Sequence, residues 1–272
     1  MSRLAGVFAA LKSNRRTALV PYITAGDPYN EATVPFMHAL VEAGADVLEL
    51  GVPFSDPTAD GPVIQQACER ALKHGTTLGD VLGMVKEFRS RDARTPVVLM
   101  GYLNPLEIFG TGKFAGAAAV AGVDGMLTVD MPPEEAEPFA GLLRAKDLDC
   151  IFLLAPTTTA ARLKRICEAA SGFVYYVSLK GVTGAASLDV QAVRGRLTAI
   201  RRETRLPVGV GFGVRDAGSA AQLAGFSDAV IVGSAIVSRI AEHRGELADT
   251  LATVREFVHG LRLAMDVVQG GA

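Results

Sequence analysis

One short sequence phrase occurs three times in this chain of 272 residues, and each copy joins the end of a helix to an apolar run. The copies lie at residues 42–50, 120–129 and 223–232. In each of them a glycine precedes the apolar residues. Because glycine lacks a Cβ, it readily adopts the left-handed conformation that ends many helices. The phrase therefore predicts a chain in which a helix repeatedly gives way to a buried strand. The three glycines are Gly44, Gly122 and Gly225.

Apolar and β-branched runs predict eight strands, with segments of helical periodicity between them. The predicted strands span residues 18–24, 47–52, 97–102, 125–129, 150–155, 173–179, 208–212 and 229–232. They are apolar at nearly every position, as expected of parallel strands that are buried on both faces. Eight such units favour the α/β class and a (β/α)8 (TIM) barrel over an open doubly wound sheet. We predict a single domain over residues 1–272.

Three helical segments can be placed more closely. Residues 78–89 and 134–146 have helical periodicity, and the second segment opens with Glu134 and Glu135. Acidic side chains stabilise a helix N-terminus, so we expect these two glutamates in its first turn. Residues 4–11 predict an extra N-terminal helix before the first strand, which would cover the closed end of the barrel.

Composition excludes several classes of protein. With 27 Lys+Arg against 29 Asp+Glu, the chain lacks the basic excess of a nucleic-acid-binding protein. Hydrophobic residues make up 49% of the sequence, which is too many for a disordered chain, yet the apolar runs are shorter than the roughly 18 residues of a membrane span. The three cysteines are widely spaced, and the four histidines are scattered. We therefore expect a soluble cytoplasmic protein with no disulfide framework and no metal site.

Two carboxylates stand out at the C-terminal end of the second strand, where barrels of this class carry their chemistry. Glu49 lies between Leu48 and Leu50, so burial should raise its pKa and make it a proton carrier near neutral pH. Asp60 lies in a stiff loop before Gly61, where hydrogen-bond donors could keep it ionised. Together they predict an acid/base pair. The alternatives are a Glu49 that pairs with a basic residue of the barrel, and an Asp60 that caps a turn.

Glycine clusters follow the sixth, seventh and eighth predicted strands. Glycines allow backbone N–H groups to approach an anion closely, and a helix that begins near Ser234 would aim its positive end at the same place. These clusters predict a phosphate site, although any one of them could also serve only a strand-to-helix turn. Their members are Gly184, Gly211, Gly213 and Gly233.

Aromatic side chains lie at the ends of several predicted strands. They predict flat walls for an aromatic ligand, with tyrosine hydroxyls left to orient it. Each of them alone could instead fill the core. The residues are Tyr22, Tyr102, Tyr175 and Phe212.

The loop after the second strand carries a resemblance to a known family. Residues 48–62, together with residues 21–28, 181–184 and 211–213, resemble the α subunit of tryptophan synthase. The resemblance spans nearly the whole chain in order. It implies a (β/α)8 barrel and a lyase of tryptophan biosynthesis, which cleaves indole-3-glycerol phosphate to indole and glyceraldehyde 3-phosphate. This retro-aldol reaction needs no cofactor in the α subunit.

The same resemblance implies a role for each predicted site residue. Glu49 matches the general acid/base, and Asp60 matches the carboxylate that binds the indole N–H. Tyr175 matches a neighbour of that carboxylate, and Thr183 matches the residue of a mobile lid that closes onto Asp60. The phosphate-binding positions are Gly184, Gly213, Gly233 and Ser234, and Tyr22 and Phe212 lie near the ligand.

Family membership would also imply a partner, the β subunit, which carries pyridoxal phosphate and forms an αββα heterotetramer. Residues 54–62 and the Asn104–Pro105 turn match the regions that contact it. Thr58 and Leu179 depart from the family pattern in the contact loop and in the lid.

Three rival interpretations of the sequence have different consequences. Lys180, after the sixth strand, could form a Schiff base in a class I type aldolase. The barrel could be a non-catalytic allosteric subunit, although it keeps both Glu49 and Asp60. A stand-alone indole-releasing lyase without a β partner is the third.

Overall fold

The computed structural model describes residues 2–177, 190–211, 213–242 and 246–270. Eight parallel strands close into a barrel in which each strand pairs with its neighbours in sequence and the last pairs with the first. The strands are β1 (Ala18–Thr24), β2 (Leu48–Gly51), β3 (Val97–Gly101), β4 (Gly125–Thr128), β5 (Asp149–Leu154), β6 (Val174–Val177), β7 (Val208–Gly211) and β8 (Ala229–Val232). The predicted (β/α)8 barrel is confirmed.

Helices connect the strands and surround the barrel. The described residues form α1 (Arg3–Ser13), α2 (Thr33–Glu42), α3 (Pro62–Lys73), α4 (Leu78–Arg89), α5 (Leu103–Phe109), α6 (Thr111–Ala121), α7 (Glu137–Arg144), α8 (Ala160–Ala169), α9 (Val190–Glu203), α10 (Ala217–Ala224), α11 (Ser234–Glu242) and α12 (Leu247–Gly270). Two elements, α5 and α6, follow β3 in succession. Helix α1 is the extra N-terminal helix that residues 4–11 predict.

Side chains alternate between two apolar layers along each strand. One layer lies between the sheet and its helices and includes Leu48 and Leu50 of β2. The other fills the barrel interior and includes Val98 of β3. The register places Glu49 beside Val98 on one side and Tyr22 of β1 on the other. Glu49 therefore belongs to the inward-facing layer.

Helix α1 closes the N-terminal end of the barrel. Its buried residues Leu4, Phe8 and Leu11 belong to the interior cluster rather than to the layer under the surrounding helices. The ring of Phe8 lies 5.7 Å from that of Phe173, centroid to centroid. Helix α1 thus fills the N-terminal end of the barrel interior, and the C-terminal strand ends are its open side.

Two local predictions are wrong. Helix α7 begins at Glu137 rather than at residue 134, because residues 133–135 form a turn in which Glu135 N donates to Pro132 O. Glu134 and Glu135 therefore precede the helix. Gly225 has φ −67 and continues the right-handed turn after α10, whereas Gly44 and Gly122 adopt the expected left-handed conformation.

Within the described residues, no helix is both long and apolar enough to cross a membrane. The same residues contain no group of three or more potential metal ligands. The three cysteines, Cys68, Cys150 and Cys167, are buried and free.

Candidate active site at the C-terminal strand ends

Glu49 is a buried carboxyl with no hydrogen-bond partner among the described residues. Only 1% of the residue is exposed, and neither side-chain oxygen accepts or donates a hydrogen bond within that part of the chain. The alternative in which Glu49 pairs with a basic residue is therefore wrong for the described part of the chain. Burial, reinforced by the negative charge of Asp60, raises the pKa of Glu49 to about 8. A carboxyl of this kind can release and accept a proton near neutral pH.

Asp60 lies in the loop between β2 and α3 and is bound by a tyrosine. The hydroxyl of Tyr102 donates to Asp60 Oδ2 at 2.8 Å and accepts a hydrogen bond from Ala59 N at 3.1 Å. Burial raises the pKa of Asp60, and the Tyr102 hydrogen bond acts in the opposite direction. One donor thus favours the ionised form, as the sequence predicts, but burial outweighs it. Tyr102 contacts the carboxylate through its hydroxyl in addition to packing its ring 5.2 Å from Phe54.

The loop that carries Asp60 is anchored to the helix that follows it. Gln65 of α3 donates to the backbone oxygen of Asp60 at 2.9 Å. Farther along α3, Arg70 forms a two-point ion pair with Asp27, which lies after β1; the distances are 2.6 Å from Nε and 2.9 Å from Nη2. Asp27 is 2% exposed, so the carboxylate of this pair is shielded from water, whereas the Arg70 side chain is 28% exposed. It ties the β1 and β2 ends of the site together.

Two predicted wall tyrosines lie inside the barrel and fill the space above glycines. A Cβ on Gly51 would lie 2.1 Å from the Tyr22 hydroxyl, and a Cβ on Gly211 would lie 2.2 Å from the Tyr175 hydroxyl. Gly211 thus makes room for a ring, and its predicted contact with phosphate stays a prediction. Both hydroxyls have a raised pKa because they are buried, and the charges of Glu49 and Asp60 add to the effect. The four side chains therefore form one electrostatically coupled group.

The predicted phosphate residues after β7 and β8 lie at the same end of the barrel. Gly213 is exposed and has φ +70, a conformation that favours glycine. Ser234 begins α11, and the first hydrogen bond of this helix runs from Ile236 N to Gly233 O at 2.8 Å. The N–H groups of Ser234 and Ala235 precede this bond and have no carbonyl partner within the helix, so they are available to an anion.

Five residues named from the sequence lie outside the described residues. They are Leu179, Lys180, Thr183, Gly184 and Phe212.

Known proteins identify the chain. A family model described as "Tryptophan synthase alpha chain" matches residues 8–266. The tryptophan synthase alpha chain of Thioalkalivibrio sulfidiphilus is 64% identical over 266 residues, which cover 98% of this chain and all of that relative. The chain belongs to the tryptophan synthase alpha chain family. It is therefore a subunit of an enzyme of tryptophan biosynthesis, and the resemblance carried by residues 48–62 is confirmed.

Solved structures of tryptophan synthase chains share the fold. Tryptophan synthase subunit alpha from Legionella pneumophila superposes with a TM-score of 0.92 at 46% identity, covering 98% of this chain and 99% of that one. A chain of tryptophan synthase from M. tuberculosis, in an aminoacrylate-bound form, has a TM-score of 0.87 at 38% identity, covering 97% and 100%. The likeness extends over the whole barrel.

The region expected to contact a tryptophan synthase β subunit is exposed. Asn104 and Pro105 lie in the first turn of α5, so the predicted turn there is helical. On the same helix Ile108, a large apolar side chain, is 82% exposed. Thr58, one of the two departures from the family pattern, is exposed in the Asp60 loop.

Sequence reasoning missed several side chains of the candidate site. The Asp27–Arg70 pair spans 43 residues, and although Asp27 lies in the segment 21–28 that carries the family resemblance, nothing in the sequence pairs it with Arg70. Ile64 and Met100 pack against Tyr22, and Thr24 lies 3.2 Å from the Tyr22 hydroxyl. The only available signal was position: Thr24 ends a predicted strand, where site residues of a barrel are found.

Proposed function

We propose that this protein cleaves indole-3-glycerol phosphate into indole and glyceraldehyde 3-phosphate by a retro-aldol reaction, as a carbon–carbon lyase. The observation that carries the proposal is the Glu49 carboxyl. It is buried, has no partner among the described residues, and has a pKa raised to about 8. A single group that titrates near neutral pH can act first as an acid and then as a base.

The reaction requires two proton transfers, and both are assigned to Glu49. A proton is added to carbon 3 of the indole ring, which places a positive charge on the ring nitrogen. Removal of the proton from the hydroxyl on the adjacent side-chain carbon lets the O–H electron pair form the aldehyde C=O bond while the bond between that carbon and carbon 3 breaks. The electron pair of the broken bond returns to the ring and restores neutral indole.

Asp60 is assigned to the indole N–H. A carboxylate there accepts a hydrogen bond and stabilises the positive charge that develops on the ring. In support, the Tyr102 hydroxyl holds Asp60 Oδ2 at 2.8 Å, and the charge of Asp60 acts on the pKa of Glu49. Tyr102 is thus a positioning residue for the carboxylate as well as a wall of the site.

The phosphate and the ring of the substrate are assigned to the remaining predicted residues. The N-terminus of α11 and the left-handed Gly213 support an anion site beyond β7 and β8. Tyr22 and Tyr175 support an apolar ring site, because both rings are buried inside the barrel. Their proposed companions are Gly184, Gly211, Phe212, Gly233 and Ser234, with Thr183 on a lid over Asp60.

The partner is proposed to be a β subunit that holds pyridoxal phosphate, in an αββα heterotetramer. The half-reaction in this chain is proposed to use only its own side chains, because two carboxyls suffice for the proton transfers and the charge. The exposed Ile108, beside Asn104 and Pro105 on α5, supports docking at this end of the barrel. The cytoplasm is the proposed location, and buried free cysteines are compatible with its reducing conditions.

An indole-release assay tests the proposed reaction. Purified protein is incubated with indole-3-glycerol phosphate, with and without β subunit, and indole is measured. Glu49→Gln keeps the side-chain shape but cannot titrate, so kcat should fall about 10²- to 10⁴-fold while the substrate still binds. Glu137→Gln, an exposed carboxyl on α7, should match the wild type.

Two outcomes of that assay, and one of a borohydride trapping experiment, would contradict the proposal. One is a Glu49→Gln protein with activity within tenfold of the wild type. Another is a wild type that releases no indole even with β subunit, as a non-catalytic barrel would. The third is a covalent adduct on Lys180, trapped by borohydride in the presence of substrate, which would indicate the Schiff-base mechanism.

The proposed partner surface has its own matched pair of variants. Ile108→Glu places a charge in the expected contact, so the dissociation constant for β subunit should rise at least about tenfold. Val120→Glu on α6 is the control, since Val120 is 81% exposed but lies outside the expected contact regions. Equal affinities of the two variants, measured by titration calorimetry, would refute the proposed surface.

A further inference from the structure

A second cavity lies at the closed end of the barrel, opposite Glu49. It has a volume of about 920 Å³ and lies between α1 and the segments that lead into β6, β7 and β8. Gly172, Pro207 and Asp228, which precede these strands, line one side, and Phe8 and Ala9 of α1 line the other. None of its lining residues belongs to the candidate active site.

The floor of this closed-end cavity is apolar. Phe8 and Leu11 are each 6% exposed and form the part nearest the barrel interior. Leu206 and Phe226 are partly buried and extend the apolar surface outward, and Val268 of α12 is 43% exposed at its edge. A surface of this size and composition suits the hydrocarbon or aromatic part of a small molecule.

The rim of the cavity carries an excess of positive charge. Among its described lining residues the only carboxylate is Asp228, which is paired with Arg201 at 3.0 Å. Arg16 is paired with Asp46 and Asp266, which lie outside the cavity lining. Within the described part of the chain, three further lining cations have no ion-pair partner. They are Lys12, Arg15 and Arg205.

Arg15 occupies a position that would suit glycine better. It follows α1 with φ +52, in the left-handed region. Glycine is the usual residue at such a helix end, and a side chain there is strained. Only one other non-glycine residue of the described chain has a positive φ, Asp147 after α7, and it does not line the cavity. The guanidinium of Arg15 thus lies at the rim even though the Arg15 backbone is strained.

From the apolar floor, the unpaired cations and the strained Arg15, we propose that the closed-end cavity is a second ligand site for a small amphipathic organic anion. The aromatic or aliphatic body of the ligand lies on Phe8, Leu11 and Phe226. Its acidic group lies among Lys12, Arg15 and Arg205. This site is independent of the proposed cleavage reaction.

Binding of the fluorescent aromatic sulfonate 1-anilinonaphthalene-8-sulfonate to the folded protein tests the proposal. The wild type should show a saturable increase in fluorescence that fits one site. Arg15→Gly removes the guanidinium and relieves the strained backbone, so its melting temperature should equal or exceed that of the wild type while its dissociation constant rises at least tenfold. Ala9→Trp fills the cavity from an exposed position of α1 and should abolish the signal.

Controls separate binding in this cavity from adsorption of the probe elsewhere on the surface. Asp147→Gly makes the same backbone change at a residue that does not line the cavity, and it should bind the probe like the wild type. Decanoate should displace the probe, and decanol at equal concentration should not, because only decanoate carries a charge.

Three results would overturn the proposal. They are equal binding of the probe by Arg15→Gly and the wild type, equal displacement by decanoate and decanol, and absence of a saturable signal. Light scattering that shows a dimer, together with binding of the probe only after the dimer dissociates, would also overturn it. In that case a second copy of the chain would occupy the cavity.

Discussion

The two ends of the barrel give the carboxylates on and before its strands opposite surroundings. At the N-terminal end, the aspartate of each repeated phrase accepts a hydrogen bond from a backbone N–H of the adjacent strand and pairs with an arginine. The backbone bonds join Asp46 to Leu19 (2.8 Å), Asp124 to Val97 (2.8 Å) and Asp228 to Val208 (2.9 Å). The ion pairs are with Arg262 (3.2 Å), Arg89 (2.8 Å) and Arg201 (3.0 Å), respectively.

At the C-terminal end, Glu49 is buried as deeply as Asp124 but has neither kind of partner among the described residues. A carboxylate that accepts a backbone hydrogen bond and pairs with an arginine is held in one position by these contacts. A carboxyl without donors keeps its proton to higher pH. The difference teaches that the environment, rather than the residue type or its burial, separates a structural carboxylate from a candidate acid/base.

The largest expected effect concerns the structural end. Asp124→Ala leaves Arg89 and Arg3 without their shared carboxylate, so the free energy of unfolding should fall by about 3 kcal/mol. We expect the low end of the range for buried pairs, because Arg89 also donates to three backbone oxygens. Urea denaturation measures the change.

The control for this variant is Glu137→Ala. Glu137 also pairs with an arginine, Arg144, but both side chains are mostly exposed, so the change should be below about 1 kcal/mol. If the two variants lose equal stability, the ion pairs at the closed end do not stabilise the fold more than a surface pair does. The proposed difference between the two ends of the barrel would then be wrong.

The next effect concerns the pH dependence of stability. In the folded state Glu49 keeps its proton to a pKa of about 8, whereas in the unfolded chain it releases the proton near 4.5. Between these values the unfolded state binds fewer protons, so rising pH favours unfolding. From pH 6 to pH 8 the wild type should lose about 2 kcal/mol relative to Glu49→Gln. Glu137→Gln should instead follow the wild type, and parallel curves for all three proteins would show that Glu49 has an ordinary pKa.

The smallest effect concerns Tyr102. Tyr102→Phe removes the donor that opposes the raised pKa of Asp60, so that pKa should rise further. If Asp60 must be ionised for turnover, the acid limb of the kcat/KM profile for indole release should move to higher pH, by up to about one unit. Tyr176→Phe is the control, because Tyr176 neighbours Tyr175 in β6 but packs in the outer layer. If the acid limb of Tyr102→Phe stays where it is in the wild type, the Tyr102 hydroxyl does not influence the pKa of Asp60.

Much of the fold was predictable because its signals are local. The bounds of β1, β8 and α4 are the predicted ones, since each follows from an uninterrupted apolar run or a helical period. β2, β3 and β4 are one or two residues shorter than predicted, as β2 is at Val47 and Val52, and β5 begins and ends one residue earlier than predicted. The predicted start of α7 was wrong because two consecutive glutamates suit a turn before a helix as well as they suit the first turn of the helix.

The site was predictable in part. The position of Glu49 between two leucines indicates burial, and its place at a strand end indicates function. Its lack of a partner among the described residues was not predictable, because any basic side chain of seven other strands was a possible neighbour. The Tyr102 to Asp60 bond joins residues 42 apart and has no sequence signature.

The sequence by itself determined the alternation of strand and helix, the burial of the strands on both faces, and the family. These properties depend on neighbours within a few residues, which propensity and periodicity encode. Only the tertiary structure decided which buried carboxylates are paired, which tyrosine holds Asp60, and that cations gather around an apolar cavity beneath α1. Those contacts arise when closure of the barrel brings together residues that are distant along the chain.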